Sequence, residues 1–447
     1  MMKLRLISIL RIWKNNIYIL LIGLLFFIPS FTASKGYARI YIDISAPSIQ
    51  KINIAVPDFK NFSGEQENPD LAVKMPEVIN NDLDLSGYFT PMEKGAFLDQ
   101  DGPGLTSDNI RFQNWVIIGA ELLLKGGYTC IGRNVEVEIR LYDLFWGRQI
   151  LGKKFLGKVE EYRYLMHRVG NEIIMALTGQ QGVFLTSIVF VGSSNAHKEI
   201  YISDFDGYNV KEITSDRSIA LLPAWSPQGD RIAYNSYKED ESMLYLWDLS
   251  KRKGRKISGR SGLNTGACWF KDGERIAVTL SYEGNPDIYS IDLNGKVLDK
   301  LVSHWGIDVS PEISPDGRML AFVSNRSGSP QIYKKDLSLD TEERLTFEGK
   351  YNTSPAWSIT DKIAFSQMDG GQIDIFTVDS DGSNLKRLTE NQGNNEDPCW
   401  SPDGRYIVFS SNRTGRYQLY LMNANGQNQR RITFMEGDQT APNWSPY

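Results

Sequence analysis

The sequence predicts an N-terminal two-layer α/β domain followed by an all-β six-bladed propeller that the C-terminal strand closes. Three observations carry this. The stretch "PCWSPDGRYIVFSSNRTGRYQLYLMN", beginning at Pro398, returns in altered wording at Pro223, Pro311 and Pro355, and the chain ends on "PNWSPY". Aligned at the Trp position, the copies place Trp225, Trp269, Ile313, Trp357, Trp400 and Trp444 at intervals of 44, 44, 44, 43 and 44 residues. Between these points the apolar residues keep strand periodicity and never helical spacing. A blade of four strands needs about 40–50 residues, so the period fits one blade per copy.

Residues 1–38 read as a secretory signal. Lys3, Arg5, Arg11 and Lys14 form a basic start, and an apolar run from Ile17 to Phe31 follows, broken only by Gly23, Pro29 and Ser30. Gly36 and Ala38 then supply the small residues of a cleavage site. The run is short for a membrane span, although an uncleaved anchor is its other reading. Cleavage after Ala38 removes five basic and no acidic residues, which takes the formal net charge from −5 to −10. A chain this acidic is unsuited to holding nucleic acid by neutralising phosphates. The expected product is soluble and exported.

Residues 39–180 form the α/β domain in this reading. "RIYIDISAPSIQ" alternates apolar and polar residues, as an edge strand does, or as a segment that adds itself to a partner's sheet does. "KINIAVPDF" is a strand. "NPDLAVKMPEVINNDLDLSG" holds a helix from Asp70 to Gly87 despite Pro76. "WVIIGAELLLKGG", "VEVEIRLYDL" and "QILGKKFLGK" read as a strand meander, and "EEYRYLMHRVGNEIIMALTG" as an amphipathic helix stopped at Gly179. The step from Gly179 to Phe184 is short, so the two parts should touch.

Residues 181–447 form the propeller. In each copy "WSPDG" ends a strand and turns, and three further strands follow. Proline stands two residues before the Trp at 223, 311, 355, 398 and 442, with Ala267 in the remaining copy. Proline donates no ladder hydrogen bond, which suits the innermost strand with its free edge on the channel. The Trp should pack between adjacent blades, where a large flat side chain buries most area. The outer strands that start near 183 lack an inner strand before them, and "QTAPNWSPY" lacks an outer set after it. Paired, the two ends close the ring and leave no open edge.

Catalytic chemistry is scarce. A hydrolase module would need a G-x-S-x-G elbow with Asp and His beyond it, and none is present. The three histidines, His167, His197 and His304, read as solvated. Oxygen ligands approach the inner strands at Asp308, Glu312, Glu396, Asp397, Asn264, Asn352 and Asn395, and calcium could sit among them. The competing reading is therefore a calcium-dependent, lactonase-like propeller enzyme; no other cofactor is expected. Cys268 and Cys399 share one repeat position in opposite inner strands, too far apart to bridge, and read as small apolar fillers between blades, with Cys130 a sheet residue and no disulfide expected.

Taken together, the signal, "ARIYID", "INIAVPDF", "SDFDGYN" at 203–209, the repeats and the abrupt "WSPY" end resemble the TolB family over essentially the whole mature chain. The resemblance implies a non-enzymatic, monomeric periplasmic adaptor. Its N-terminal segment, Arg39, Ile40, Tyr41, Ile42, Asp43, Ile44 and Ser45, would bind a TolA-like inner-membrane protein. Its channel mouth would bind a Pal-like peptidoglycan-associated lipoprotein through Asn264, Thr265, Asp308, Val309, Asn352, Thr353, Asn395, Glu396, Gln439 and Thr440. Outer-membrane integrity, cell division and colicin import are the roles implied. The pattern departs at Leu263, where the family's rim carries a histidine.

Overall fold

The computed structural model describes residues 50–63, 67–98, 104–194 and 197–447; the signal-like segment and Arg39–Ser45 lie outside these. The N-terminal sheet has strands β1 (Ile52–Ala55), β2 (Lys60–Asn61), β3 (Phe89–Pro91), β4 (Leu122–Ile131), β5 (Asn134–Asp143) and β6 (Arg148–Lys158). Their order is β3–β1–β4–β5–β6, with β2 also on β4. Along β5 the alternation places Val135, Val137, Ile139 and Leu141 at 0% exposure on one face. Helices α1 (Leu71–Ser86) and α3 (Tyr162–Thr178) pack against each other and the sheet. Both stop at a left-handed glycine, Gly87 and Gly179.

Pro76 does not break α1, and the hydrogen bonds say why. Proline leaves the carbonyl four residues earlier without its helical donor. That carbonyl, on Ala72, instead accepts from Phe59 N at 2.9 Å. One expectation needs correction: "WVIIGAELLL" is not all strand. Phe112–Ile117 forms a short helix, α2, and β4 begins only at Leu122. A continuous apolar run does not distinguish helix from strand by period. Trp115 is the buried anchor of α2 among Ala55, Leu123 and Tyr142, while Ile117 is exposed.

The remaining strands make six four-stranded sheets. The inner strands are Ala220–Trp225, Asn264–Trp269, Asp308–Ile313, Tyr351–Trp357, Asn395–Trp400 and Gln439–Trp444. Each touches the next, and the last touches the first. The ring closes as expected: Gln439–Trp444 pairs antiparallel with Ser187–Ser194, with Trp444 opposite Ile188. The Trp position is the inter-blade core. Trp269 packs against Ala233, Leu244 and Leu246 of the preceding blade, and Trp225 against Val189, Val191 and Ile200 across the closure. Trp269 and Trp400 also donate Nε1–H to Ala224 O and Ala356 O of the blade before, both at 3.1 Å.

The α/β part sits on blades five and six at the turns that follow the inner strands' Trp ends. Tyr406 Oη donates to Ser86 O at 3.1 Å, and Arg405 Nη2 to Gln181 O at 2.7 Å. Asn428 Nδ2 reaches Asp84 O at 3.2 Å, and Arg430 pairs with Asp84. Strands in a blade alternate in direction, so the start of every inner strand lies at the opposite face. That face is the channel mouth.

Candidate functional site

Counted from Asn352 in the seven-residue strand Tyr351–Trp357, the six inner strands share one recurring exposure pattern over six positions. The first, fourth and sixth residues are buried, apart from half-buried Ala267, and the second, third and fifth are mostly half-buried, as in Asn395–Trp400 and Gln439–Trp444. A bulge creates this pattern. In all six strands the register with the neighbouring strand shifts between the second and fifth residues. The third residue is left-handed every time: Leu222, Gly266, Ser310, Ser354, Asp397 and Ala441 have φ of 49–66°. Only one of the six is glycine, so five positions store backbone strain that the ring geometry imposes. The proline at position four falls inside the bulge, where no ladder bond is asked of it.

Cross-blade hydrogen bonds hold the bulges. Asp397 N donates to Ser366 Oγ and Ala441 N to Ser410 Oγ, both at 3.1 Å, each reaching the preceding blade. At position five the side chain accepts the backbone N–H of the next blade's Trp position. Cys268 Sγ takes Ile313 N at 3.2 Å, Glu312 takes Trp357 N, Cys399 Sγ takes Trp444 N at 3.3 Å, and Asn443 Oδ1 takes Trp225 N at 2.8 Å. Cys268 and Cys399 are thus acceptors that clasp neighbouring blades, a role their reading as apolar fillers missed. Both are free, as is buried Cys130. Burial pushes the Cys399 thiol up to about 12 and the Cys268 thiol well above its ordinary range. A thiol that stays protonated is a poor nucleophile. Iodoacetamide at pH 8 is therefore expected to add nothing to the native protein and three adducts after denaturation, read by intact mass. A native adduct would show that the clasp opens.

The ten residues assigned to the mouth divide into two groups. Asn264, Asp308, Asn352, Asn395 and Gln439, at the first position, are 0% exposed. They are pins that hold the connecting loops. Asn264 Nδ2 donates to Arg260 O at 2.7 Å and Gly262 O at 3.1 Å, and Gln439 Nε2 to Gly437 O at 2.7 Å. Asn352 Nδ2 bonds Gln331 Oε1 and Glu348 O. Arg326 Nη2 donates to Asp308 Oδ1 and Arg413 Nη2 to Asn395 Oδ1, both at 2.9 Å. Those arginines belong to the "SNRSG" and "SNRTG" turns. Their repeated offset from positions 308 and 395 is the sequence signal for this strut.

Thr265, Val309, Thr353, Glu396 and Thr440, at the second position, are half-buried and form the accessible ring. Glu396 accepts from Tyr417 Oη. Burial raises the Asp397 carboxyl, and neighbouring Glu396 raises it further. Burial likewise raises Asp308 against the pull of Arg326. Exposed Trp305, Phe347 and Phe434 lie in the loops leading to the inner strands on this face. His304 is half-buried in the same loop as Trp305, whereas His167 is buried in the seam and is not the solvated residue expected. Among the described residues no helix is long and apolar enough to cross a membrane.

The comparisons with known proteins agree with this architecture. The family model for the TolB beta propeller domain matches residues 174–447, and that for the TolB amino-terminal domain matches residues 40–150. "Tol-Pal system protein TolB" of Desulfosudis oleivorans is 41% identical over 225 residues, 50% of this chain and 51% of that one. The protein of the same name from Syntrophus aciditrophicus is 37% identical over 232 residues, 51% of each. The chain thus spans about half the length of these curated relatives. The crystal structure of TolB from Acinetobacter baumannii superposes with a TM-score of 0.78 at 28% identity, over 92% of this chain and 100% of that one. With a domain model matching more than half of its length, the chain belongs to the TolB family, a non-enzymatic family of the Tol-Pal system.

Proposed function

We propose that this protein is the periplasmic adaptor of a Tol-Pal system, with two partner sites. The mouth ring of Thr265, Val309, Thr353, Glu396 and Thr440 receives a Pal-like lipoprotein, and Arg39–Ser45 engages a TolA-like inner-membrane protein. The role is to couple the two membranes, and so to serve outer-membrane integrity and division. Colicins and other outer-membrane proteins are further users of the same surfaces. The observation that supports this most is the mouth itself. Five accessible side chains, three threonines with a valine and a glutamate, stand around the ring, each directly beside a buried pin. A pre-set concave surface with an apolar rim suits a protein ligand. Calcium has no proposed part, because Asp308 and Glu396 already take Arg326 and Tyr417.

The test uses the mature chain from residue 39 with the soluble domains of the two partners in calorimetry. Thr353→Arg and Glu396→Arg are expected to weaken Pal-type binding by about 100-fold, the scale of an interface hot spot, with the melting temperature unchanged. Deleting 39–45 should abolish only TolA-type binding. Unaltered Pal-type affinity in both arginine variants would remove the mouth from the proposal.

A further inference from the structure

The seam between the α/β part and the propeller buries a histidine that the channel does not use. His167, on α3, is 2% exposed. Its Nδ1 lies 2.8 and 3.0 Å from the two carboxylate oxygens of Asp82 on α1. Its Nε2 has no hydrogen-bond partner and lies 3.8 Å from Asp204 Oδ2, on the propeller's "SDFDGYN" loop. The other groups around it are set. Asp206 Oδ2 accepts from Arg163 Nη2 at 2.6 Å and Asn81 Nδ2 at 3.0 Å. Arg163 stacks 4.0 Å over Tyr208, and Phe205 meets the imidazole edge-on. Gly170 leaves the room: a Cβ there would lie 3.0 Å from Asp82 Oδ2.

Three carboxylates from two parts of the molecule therefore face one guanidinium and one imidazole. A neutral imidazole has one N–H. If Nδ1 carries it for Asp82, Nε2 turns a lone pair toward Asp204 in a water-poor pocket, which is repulsive and leaves a buried polar atom unmatched. A second proton converts that contact into an attraction, and the ring then bridges α1 and the propeller loop. We propose that His167 is a proton-operated staple: its second proton ties the α/β part to the propeller, and losing it loosens the seam. This goes beyond the adaptor reading and stands whether or not the mouth binds a lipoprotein.

The titration directions agree with the geometry. Burial opposes the charged imidazole, but Asp82, Asp206 and Asp204 outweigh it and hold His167 above its ordinary value. Burial raises Asp204, and pushes Asp82 up to about 6 against the pull of His167. With all three raised, the folded seam binds more protons than the unfolded chain across mildly acid pH. The share of Asp82 and Asp204 falls away from about 3.8 upward, whereas that of His167 is complete below about 6.5 and is lost as pH rises through its folded value.

The test is made on the mature chain. It has three histidines, so isotope-labelled histidine gives a readable NMR titration. His167 is expected to titrate above 6.5. Hydrogen exchange, corrected for its intrinsic pH dependence, should show residues 203–209 losing protection by about tenfold or more between pH 6 and 9, tenfold being the effect of one pKa unit. His167→Gln and Asp204→Asn should each flatten that step. A midpoint below 6.5, or an equal step in Asp204→Asn, overturns the proposal. Should His167→Gln fail to fold, the titration and Asp204→Asn decide it.

Discussion

Ending the chain at Asp438, so that the last inner strand is missing, is expected to abolish cooperative folding of the propeller. Gln439–Trp444 supplies the channel-side strand of the closing blade and pairs with Ser187–Ser194. Its loss removes Trp444, 5% exposed, whose Nε1 donates to Thr186 Oγ1 at 2.7 Å. It also leaves Trp225 N without Asn443 Oδ1, uncovers the cluster around Val189 and Ile200, and opens a sheet edge. One buried Trp lost from a core costs about 3–5 kcal/mol, before the ladder and the exposed neighbours are counted, against a typical total of about 5–15 kcal/mol. The expected result is loss of the sharp thermal transition in near-ultraviolet circular dichroism, with dye-binding apolar surface. Removing only Pro446 and Tyr447, beyond the pairing, should shift the midpoint by no more than about 4 °C, the scale of 1 kcal/mol or less. A cooperative melt of the chain ending at Asp438 near the full-length midpoint would mean that the ring is not held shut by its C-terminus.

The truncation bears on how the fold is written in the sequence. Blade number and closure were legible because the blades repeat three devices, an inter-blade Trp, a proline at the bulge and a turn after it, with Ile313 replacing one Trp and Ala267 one proline. The mouth was legible in place but not in orientation. A strand's strict alternation would put its second and fifth residues on opposite faces. The extra residue of the bulge puts both on one face, so Thr265 and Cys268 share a side of the sheet while Asn264 is buried. Composition carries no sign of that shift. Sequence placed His167 on a helix, but its partners Asp82 and Asp204 stand far away in the chain, and only the seam joins them. The short helix Phe112–Ile117 was hidden by its own apolar run.

Replacing Glu312 by Gln is expected to stabilise the protein above neutral pH and to leave it unchanged in acid. Glu312 holds the fifth position of its inner strand, among Cys268, Cys399 and Asn443 around the bore. It accepts from Trp357 N at 3.4 Å and from the Cys268 thiol, bonds that a glutamine oxygen also accepts. Burial pushes its carboxyl from an ordinary 4.5 up to about 7. A carboxyl raised in the folded state penalises folding once charged, so wild-type stability should fall as pH climbs from 4.5 through about 7. At 1.36 kcal/mol per pKa unit the penalty has a ceiling of about 3 kcal/mol, and water in the bore reduces it toward about 1–2 kcal/mol. Urea midpoints at pH 4.5 and 8.5 measure it: the variant should match wild type at the lower pH and exceed it at the higher. If glutamine instead weakens the protein at pH 8.5, the charged carboxylate must be matched by a cation in the bore, and the channel would have to be read again as an ion site.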